Sequence, residues 1–167
     1  MTVTTRIRAI AFDVDGVFTD GTFWFGPNGE EYKAACFLDV MGVSRARRSG
    51  VPMALISGED TPFVRYLAQK LGITDVWMGC KDKVAALLEF GERHGLATAH
   101  LCFVGDDIND VSAMTLAGFA AAPATAHRSA IAAAALVTRS GGGRGAVREV
   151  LDYLAERDWV VDSSPAQ

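Results

Sequence analysis

Short apolar runs alternate with amphipathic segments along this chain, and the alternation restricts the possible folds more than any other feature. The apolar runs, each short enough for a buried strand, lie at residues 7–12, 52–56, 75–77 and 101–104. Apolar residues at helical spacing follow in three segments, at residues 62–71, 83–94 and 147–154. Strands that alternate with helices predict an α/β domain with a mostly parallel sheet.

Two of the predicted helices carry start and stop signals. Thr61 is an N-cap candidate followed by Pro62, which suits the first helical position, and Gly72 ends this helix. Asp82 is an N-cap candidate for the next helix, which is expected to stop near Gly95. These signals locate the loops that connect strands to helices. In folds of this class, ligands bind at such loops.

One region, residues 17–35, interrupts the alternation directly after the first strand. Five large rings surround the turn sequence Gly26-Pro27-Asn28-Gly29, and they belong to Phe18, Phe23, Trp24, Phe25 and Tyr32. A turn flanked by aromatic residues predicts a β-hairpin. A sheet domain this small cannot bury five such rings, so we expect part of the hairpin to pack against a neighbour.

Composition sets the class of protein. The 167 residues correspond to one domain, expected over 1–157 with a short polar tail at 158–167. The net charge of −4 argues against nucleic acid or anionic lipid as a partner. The first apolar run ends at Asp13, and the alanine-rich stretch 116–137 is broken by Pro123, so neither predicts a membrane span. A cytoplasmic protein is expected.

The cysteines and histidines lack the spacing of a disulfide framework or a zinc site. They are Cys36, Cys80, Cys102, His94, His100 and His127.

Polar residues follow each of the predicted strands. They are Asp13 and Asp15 after the first strand, Ser57 and Gly58 after the second, Lys83 after the third, and Asp106, Asp107 and Asp110 after the fourth. Two carboxylates one residue apart are costly to place together unless a cation or a proton relieves their repulsion. Each group also has an ordinary interpretation: a solvated acidic turn, a plain turn, a solvated lysine or a helix cap.

Taken in order, these groups resemble the four motifs of the haloacid dehalogenase-like phosphatase superfamily. The first motif resembles residues 13–20, the second Ser57-Gly58, the third Lys83 and the fourth residues 105–110. Asp20-Gly21, Gly29-Glu30 and the segments 75–83 and 141–149 resemble a narrower branch, the capless phosphatases of 3-deoxy-manno-octulosonate 8-phosphate. This resemblance extends from about residue 7 to 154 and implies a three-layer Rossmann-like sheet, a hairpin flap after strand 1 and no cap domain.

The resemblance implies a Mg²⁺-dependent phosphatase acting on a small phosphorylated sugar or sugar acid through an aspartyl-phosphate. Asp13 is the expected nucleophile and Asp15 the expected general acid and base. The implied metal ligands are Asp13, the backbone carbonyl of Asp15, and Asp106, with Asp107 and Asp110 in support. Ser57, Gly58 and Lys83 are expected to hold the phosphoryl oxygens.

The expected substrate pocket departs from the octulosonate enzymes. Their Asn-x-Arg-Asp-Gly segment is replaced by residues 36–40, in which only Asp39 matches, and Glu59 stands where they have arginine. Further arginines are replaced by Ser44 and Leu67. Glu59 with Lys70 resembles the phosphatases of nine-carbon sugar acids, so the substrate contacts are expected at Asp39, Glu59 and Lys70.

Two further expectations and two alternative functions accompany the resemblance. Capless relatives are homotetramers in which the hairpin closes the adjacent subunit's site, so a homotetramer is expected. The glycine-rich run 141–145 lacks a nucleotide P-loop ending and is expected near the pocket mouth. The alternatives are a non-catalytic oligomerisation domain, like that attached to acylneuraminate cytidylyltransferases, and transfer of the phosphoryl group to a sugar acceptor instead of water.

Overall fold

The computed structural model describes residues 4–162. Within that range the strands are β1 (Thr4–Arg6), β2 (Ala9–Phe12), β3 (Trp24–Phe25), β4 (Glu31–Tyr32), β5 (Met53–Ile56), β6 (Asp75–Trp77), β7 (Leu101–Val104), β8 (Phe119–Ala122), β9 (Leu136–Val137) and β10 (Val160–Asp162). The α-helices are α1 (Phe37–Arg48), α2 (Pro62–Leu71), α3 (Lys83–Arg93), α4 (Val111–Leu116), α5 (Arg128–Ala133) and α6 (Ala146–Ala155).

Six of the strands form a parallel sheet in the order β6-β5-β2-β7-β8-β9. β2 lies inside the sheet, where Ile10 pairs with Met53 of β5 and with Cys102 of β7. The order therefore brings the loops after β2, β5 and β7 to neighbouring positions at one edge of the sheet.

Helices cover both faces of this sheet. Ile10 and Phe12 belong to a core cluster with residues of α1, α2 and α6, whereas Ala9 and Ala11 belong to a second cluster with residues of α3, α4 and α5. Alternate side chains of a strand point to opposite faces, so β2 contributes to both cores. The predicted three-layer α/β fold is confirmed, and no second domain interrupts the sheet between residues 4 and 162.

The hairpin is where the sequence predicts it. β3 pairs with β4 in antiparallel orientation, and the amide of Gly26 donates to the Glu30 carbonyl at 2.7 Å. The rings of Trp24, Phe25 and Tyr32 are 63%, 68% and 57% exposed, so this chain alone does not cover them.

The predicted strands and helices correspond closely to the observed ones, with β2 and β5 starting one or two residues later than expected. Asp82 caps α3 as predicted, accepting from the amide of Ala85 at 2.9 Å, whereas the Thr61 side chain makes no capping bond. Seven observed elements were not predicted: α1, α4, α5, β1, β8, β9 and β10. β8 lies in the alanine-rich stretch, and alanine is uncommon in strands, so the sequence carried no strand signal there.

The last described strand pairs with the first. Val160–Asp162, expected from the sequence to lie in a polar tail, forms β10 and pairs antiparallel with β1. The rest of that tail, 163–167, lies outside the described residues. Among the helices between residues 4 and 162, none is long and apolar enough to cross a membrane.

Candidate active site

A cavity of about 210 Å³ opens at the carboxyl ends of β2, β5 and β7. The residues that line it are Asp13, Asp15, Gly16, Gly21, Ser57, Gly58, Glu59, Lys83, Asp106, Asp107 and Asn109. The four groups of polar residues predicted from the sequence thus meet in one place. A larger cavity, about 460 Å³, lies at the amino ends of the strands near Arg8 and Pro52 and contains no predicted site residue.

A buried ion pair joins the first and third of these groups. The Asp13 amide donates to the Val104 carbonyl at 2.9 Å, which fixes this residue at the end of β2. Lys83, the first residue of α3, places its Nζ 2.9 Å from Asp13 Oδ1 and 2.6 Å from Asp110 Oδ1. All three side chains are at least nine-tenths buried, so the lysine is the nearby positive charge for two carboxylates.

Asp110 shapes the loop after β7. Its Oδ2 accepts from the backbone amides of Asp106 at 3.0 Å and Asp107 at 3.2 Å, while its Oδ1 contacts Lys83. Both oxygens of this fully buried carboxylate are therefore engaged with protein groups. The arrangement agrees with a supporting position for Asp110, which orients the loop that carries Asp106 and Asp107.

Three carboxylates converge closely enough to share a cation. Asp13, Asp106 and Asp110 each offer an oxygen, and these oxygens lie within 4.8 Å of one another. Burial and the charge of Asp110 raise the pKa of Asp13 from 3.8 to about 8, although Lys83 acts in the opposite direction. Burial, Asp110 and Asp107 raise the pKa of Asp106 from 3.8 to about 7. Hard oxygen donors whose ionisation is this costly fit a divalent cation such as Mg²⁺.

The Asp15 carboxylate is not part of this cluster. Its Oδ1 lies 2.9 Å from Nζ of Lys33, on the hairpin, and accepts from the Thr19 hydroxyl at 3.3 Å. Its Oδ2 is buried and has no hydrogen-bond partner among the described residues. Lys33 was missed in the sequence analysis, where its only signal is that it is the single basic residue of the predicted hairpin.

The loop after β5 places a hydroxyl and a free amide at the cavity. Ser57 is buried, and its Oγ accepts from the Glu59 amide at 3.1 Å, so its own proton is available for donation. The Ser57 carbonyl accepts from the Cys80 amide at 2.9 Å, and the Gly58 carbonyl accepts from Lys81 Nζ at 3.0 Å. These bonds join this loop to the one before α3, which carries Lys83.

Two of the three expected substrate contacts are absent from the cavity lining. Asp39 is buried and accepts from the backbone amides of Gly145 at 3.2 Å and Arg148 at 2.8 Å, at the amino end of α6. Burial raises its pKa against the lowering effect of these bonds. Lys70 lies exposed in the last turn of α2. Only Glu59, which is exposed, lines the cavity.

The glycine-rich loop, residues 141–145, contacts the site from outside the cavity. The Gly143 amide donates to the Val17 carbonyl at 2.9 Å, and a Cβ on Gly142 would lie 1.8 Å from the Gly16 carbonyl oxygen. Arg144 forms an ion pair with Asp20 at 3.1 Å. The loop expected near the pocket mouth therefore packs against the loop that follows β2 and lines no part of the cavity.

Comparisons with known proteins agree on one family. Residues 39–118 match the family model described as haloacid dehalogenase-like hydrolase. The chain is 38% identical to the 3-deoxy-D-manno-octulosonate 8-phosphate phosphatase of Escherichia coli (strain K12) over 162 residues, which is 97% of this chain and 86% of that protein. This chain belongs to the 3-deoxy-D-manno-octulosonate 8-phosphate phosphatase family of haloacid dehalogenase-like hydrolases.

Solved structures from this family share the fold. The phosphatase from Moraxella catarrhalis, solved in complex with magnesium ion, phosphate ion and KDO, is 33% identical and superposes with a TM-score of 0.87 over 90% of this chain and 86% of that one. The cobalt-bound phosphatase from Haemophilus influenzae is 30% identical, with a TM-score of 0.86 over 90% of this chain and 88% of that one. The family therefore accounts for the parallel sheet and for the capless architecture.

Proposed function

We propose that this chain is a Mg²⁺-dependent phosphomonoester hydrolase that acts on a small phosphorylated sugar or sugar acid. The proposal rests on the position of Asp13. This residue is buried at the floor of the cavity, between the ammonium of Lys83 and the carboxylate of Asp106. The relatives named as 3-deoxy-D-manno-octulosonate 8-phosphate phosphatases make that compound the first substrate to test. The comparisons do not favour the non-catalytic alternative.

The first chemical step would transfer the phosphoryl group to Asp13. An Asp13 oxygen forms a bond to phosphorus as the bond from phosphorus to the sugar oxygen breaks, and Asp15 gives its proton to that oxygen. In the second step Asp15 takes a proton from water, whose oxygen attacks phosphorus and releases Asp13. Lys83, the Ser57 hydroxyl and the Gly58 amide would hold the phosphoryl oxygens in both steps.

The acidic cluster is the place for the metal ion. Asp13, Asp106 and the backbone carbonyl of Asp15 would hold Mg²⁺, with Asp107 and Asp110 supporting the loop. When bound, the cation supplies positive charge that offsets the carboxylates and the phosphoryl oxygens.

The leaving group would meet Glu59 at the mouth of the cavity. Its exposed carboxylate is suited to a hydroxyl or amine on the sugar and repels a carboxylate placed beside it. Asp39 and Lys70 are assigned no substrate contact, since neither lines the cavity.

Phosphate release from a panel of sugar phosphates tests the proposal. The panel includes 3-deoxy-D-manno-octulosonate 8-phosphate, a nonulosonate 9-phosphate and neutral sugar phosphates, each assayed with Mg²⁺ and with a chelator. We expect hydrolysis of at least one member, no hydrolysis with the chelator, and a loss of roughly a thousandfold or more in Asp13→Asn. Asp158→Asn is the matched control, because the same chemical change occurs at an exposed position. Full activity in Asp13→Asn would contradict the assignment of the nucleophile.

We also propose that the chain assembles as a homotetramer through the hairpin. The support is the exposed aromatic surface formed by Trp24, Phe25 and Tyr32, together with the exposed Phe37. Exposed rings of this size usually mark an interaction surface. Light scattering at micromolar concentration is expected to give the tetramer mass, and Trp24→Asp combined with Phe25→Asp is expected to lower it. A wild-type monomer would refute the proposal.

A further inference from the structure

One lysine of the hairpin points inward while the aromatic side chains beside it face solvent. The Lys33 side chain is 5% exposed, although Trp24 and Phe25 of the same hairpin are more than 60% exposed. Its Nζ lies 2.9 Å from Asp15 Oδ1 and 2.8 Å from Glu31 Oε1. The hairpin thus places a buried cation against Asp15, which lines the cavity.

The surroundings keep this ammonium charged and in place. Nζ lies 5.8 Å from the ring centroid of Phe23, on the hairpin, and 5.8 Å from that of Phe63, on α2. Burial lowers the pKa of Lys33, but the hydrogen bonds and charges of Glu31 and Asp15 outweigh that effect and raise it. Fixing a lysine side chain costs rotamer freedom, and the attraction within a buried ion pair is largely offset by the cost of removing its charges from water. Stability alone therefore gives little reason for this placement.

Lys33 determines which oxygen of Asp15 remains free. Oδ1 is occupied by Lys33 and by the Thr19 hydroxyl, and two contacts to one oxygen fix the rotation of the carboxylate. Oδ2 is then the oxygen without a partner among the described residues, although it is buried. A buried oxygen that no protein group satisfies is costly, and such atoms are found where a site is arranged for a ligand.

We propose that Lys33 is a positioning residue that holds Asp15 so that Oδ2 transfers the proton to the leaving oxygen of the substrate. This inference rests on the proposed phosphatase activity. As the bond from phosphorus to the leaving oxygen breaks, the proton moves from Oδ2 to that oxygen, and Asp15 becomes a carboxylate whose Oδ1 faces the Lys33 ammonium. Lys33 touches no reacting atom and acts through Asp15.

If Lys33 positions Asp15 in this way, the loss of activity caused by removing Lys33 should depend on the leaving group of the substrate. A poor leaving group needs the proton as its bond to phosphorus breaks, whereas a good one departs without it. Loss of Lys33 should therefore slow the hydrolysis of phenyl phosphate much more than that of p-nitrophenyl phosphate. Damage that is only structural would slow both by the same factor, because the two substrates have nearly the same size and shape.

The experiment compares kcat/KM of wild type and Lys33→Met for these two aryl phosphates in the presence of Mg²⁺. This ratio reports the steps up to the departure of the phenol, so the later hydrolysis of the aspartyl-phosphate does not affect it. We expect a loss of roughly thirtyfold or more with phenyl phosphate and of about threefold or less with p-nitrophenyl phosphate. Equal losses with both substrates, or no loss with either, would overturn the proposal.

Further variants separate positioning from folding. Lys33→Arg keeps a cation and is expected to restore most of the activity with phenyl phosphate, whereas a defect equal to that of Lys33→Met would assign the effect to packing and overturn the proposal. In Asp15→Asn, adding Lys33→Met is expected to cause no further loss, because Lys33 acts through the group already removed. A further loss of activity in that double variant would count against the proposal that Lys33 acts through Asp15. Arg128→Met, at an exposed position, is the matched control.

The wild-type assay separates this inference from the proposed function. If the wild type hydrolyses no sugar phosphate of the panel and neither aryl phosphate with Mg²⁺, the phosphatase proposal fails and this inference fails with it. If it hydrolyses only a sugar phosphate, whose leaving oxygen needs the proton, equal kcat/KM of wild type and Lys33→Met on that substrate refutes the role of Lys33 alone. If the wild type hydrolyses both and Lys33→Met shows no leaving-group dependence, only the role of Lys33 is refuted.

Discussion

Three aspartates of this chain differ in behaviour because their neighbours differ. Asp13 is buried beside Lys83 and other carboxylates, so its charge is costly and a cation would offset it. Asp15 has one oxygen held by Lys33, and the other has no hydrogen-bond partner among the described residues. Asp39 is buried with backbone amides alone and caps the amino end of α6. Residue type alone does not separate these situations, because contacts from distant segments define each of them.

Removal of Asp39 should reduce stability and leave catalysis intact. Asp39→Ala loses two hydrogen bonds to amides of α6 and is expected to lower the free energy of unfolding by about 1–3 kcal/mol. In thermal unfolding this corresponds to a fall in Tm of roughly 2–12 °C. Asp39→Asn keeps an acceptor oxygen and should lose less, while Asp60→Ala, at an exposed position, should lose little.

The kinetics of the same variant decide between a structural and a substrate-binding role for Asp39. Well below Tm, kcat/KM of Asp39→Ala with sugar phosphates is expected to stay within about twofold of wild type. An increase in KM that is confined to sugar substrates would instead restore Asp39 as a substrate contact.

At the scale of elements, the site is built from loops that follow neighbouring parallel strands and is supported by loops from elsewhere. The glycine-rich loop before α6 approaches the loop after β2 so closely that position 142 has no room for a side chain. This contact joins the glycine-rich loop to the first predicted motif, so a segment that lines no part of the cavity still supports the loop that carries Asp13 and Asp15.

A side chain at position 142 should therefore disturb the site from outside the cavity. In Gly142→Ala the new Cβ would lie 1.8 Å from the Gly16 carbonyl oxygen, so one of the two loops must move. We expect a loss of stability of about 1–3 kcal/mol and a tenfold or greater fall in kcat/KM, on the order of what a misplacement of about 1 Å causes. Ser140→Ala, in the same segment, should change neither quantity appreciably, and wild-type kinetics in Gly142→Ala would show that the loops do not position the site.

The stability of the whole molecule should depend on the metal ion. Asp13 and Asp106 have pKa values raised from 3.8 to about 8 and about 7 in the absence of a cation. Groups whose folded pKa is raised stabilise the protein below their ordinary pKa, and this stabilisation is lost as the pH rises through the folded values. In a chelator, Tm is therefore expected to fall as the pH rises from about 4 to about 8.

Magnesium should reverse that fall, because a cation replaces the protons. At a concentration of about 100 Kd, a ligand that binds only the folded state adds about 2.7 kcal/mol, which corresponds to roughly 5–10 °C in Tm. Asp106→Asn should flatten the pH dependence in chelator and reduce the Mg²⁺ effect, whereas Asp158→Asn should behave as wild type. Equal stabilisation of wild type and Asp106→Asn by Mg²⁺ would place the ion elsewhere.

Much of the architecture could be predicted from local pattern. The strands β2, β5, β6 and β7 and the helices α2, α3 and α6 carry clear periodicity, and the polar groups after the strands follow from the order of the chain. β8 and β9 carry no such signal, because one is rich in alanine and the other is two residues long. α1 was missed because it exposes Phe37, Leu38 and Met41, which obscures a buried face.

By itself, the sequence determined the fold class, the edge of the sheet where the polar groups collect, and the residue types available for phosphoryl chemistry. Those properties depend on hydrophobic periodicity and on residues within a few positions of each strand end. Only the tertiary structure decided that Lys33 faces Asp15, that Asp39 supports α6 instead of lining the cavity, and that Gly142 rests on Gly16. The physical reason is distance along the chain: each of these contacts joins segments between 18 and 126 residues apart, and no local pattern encodes which of them meet.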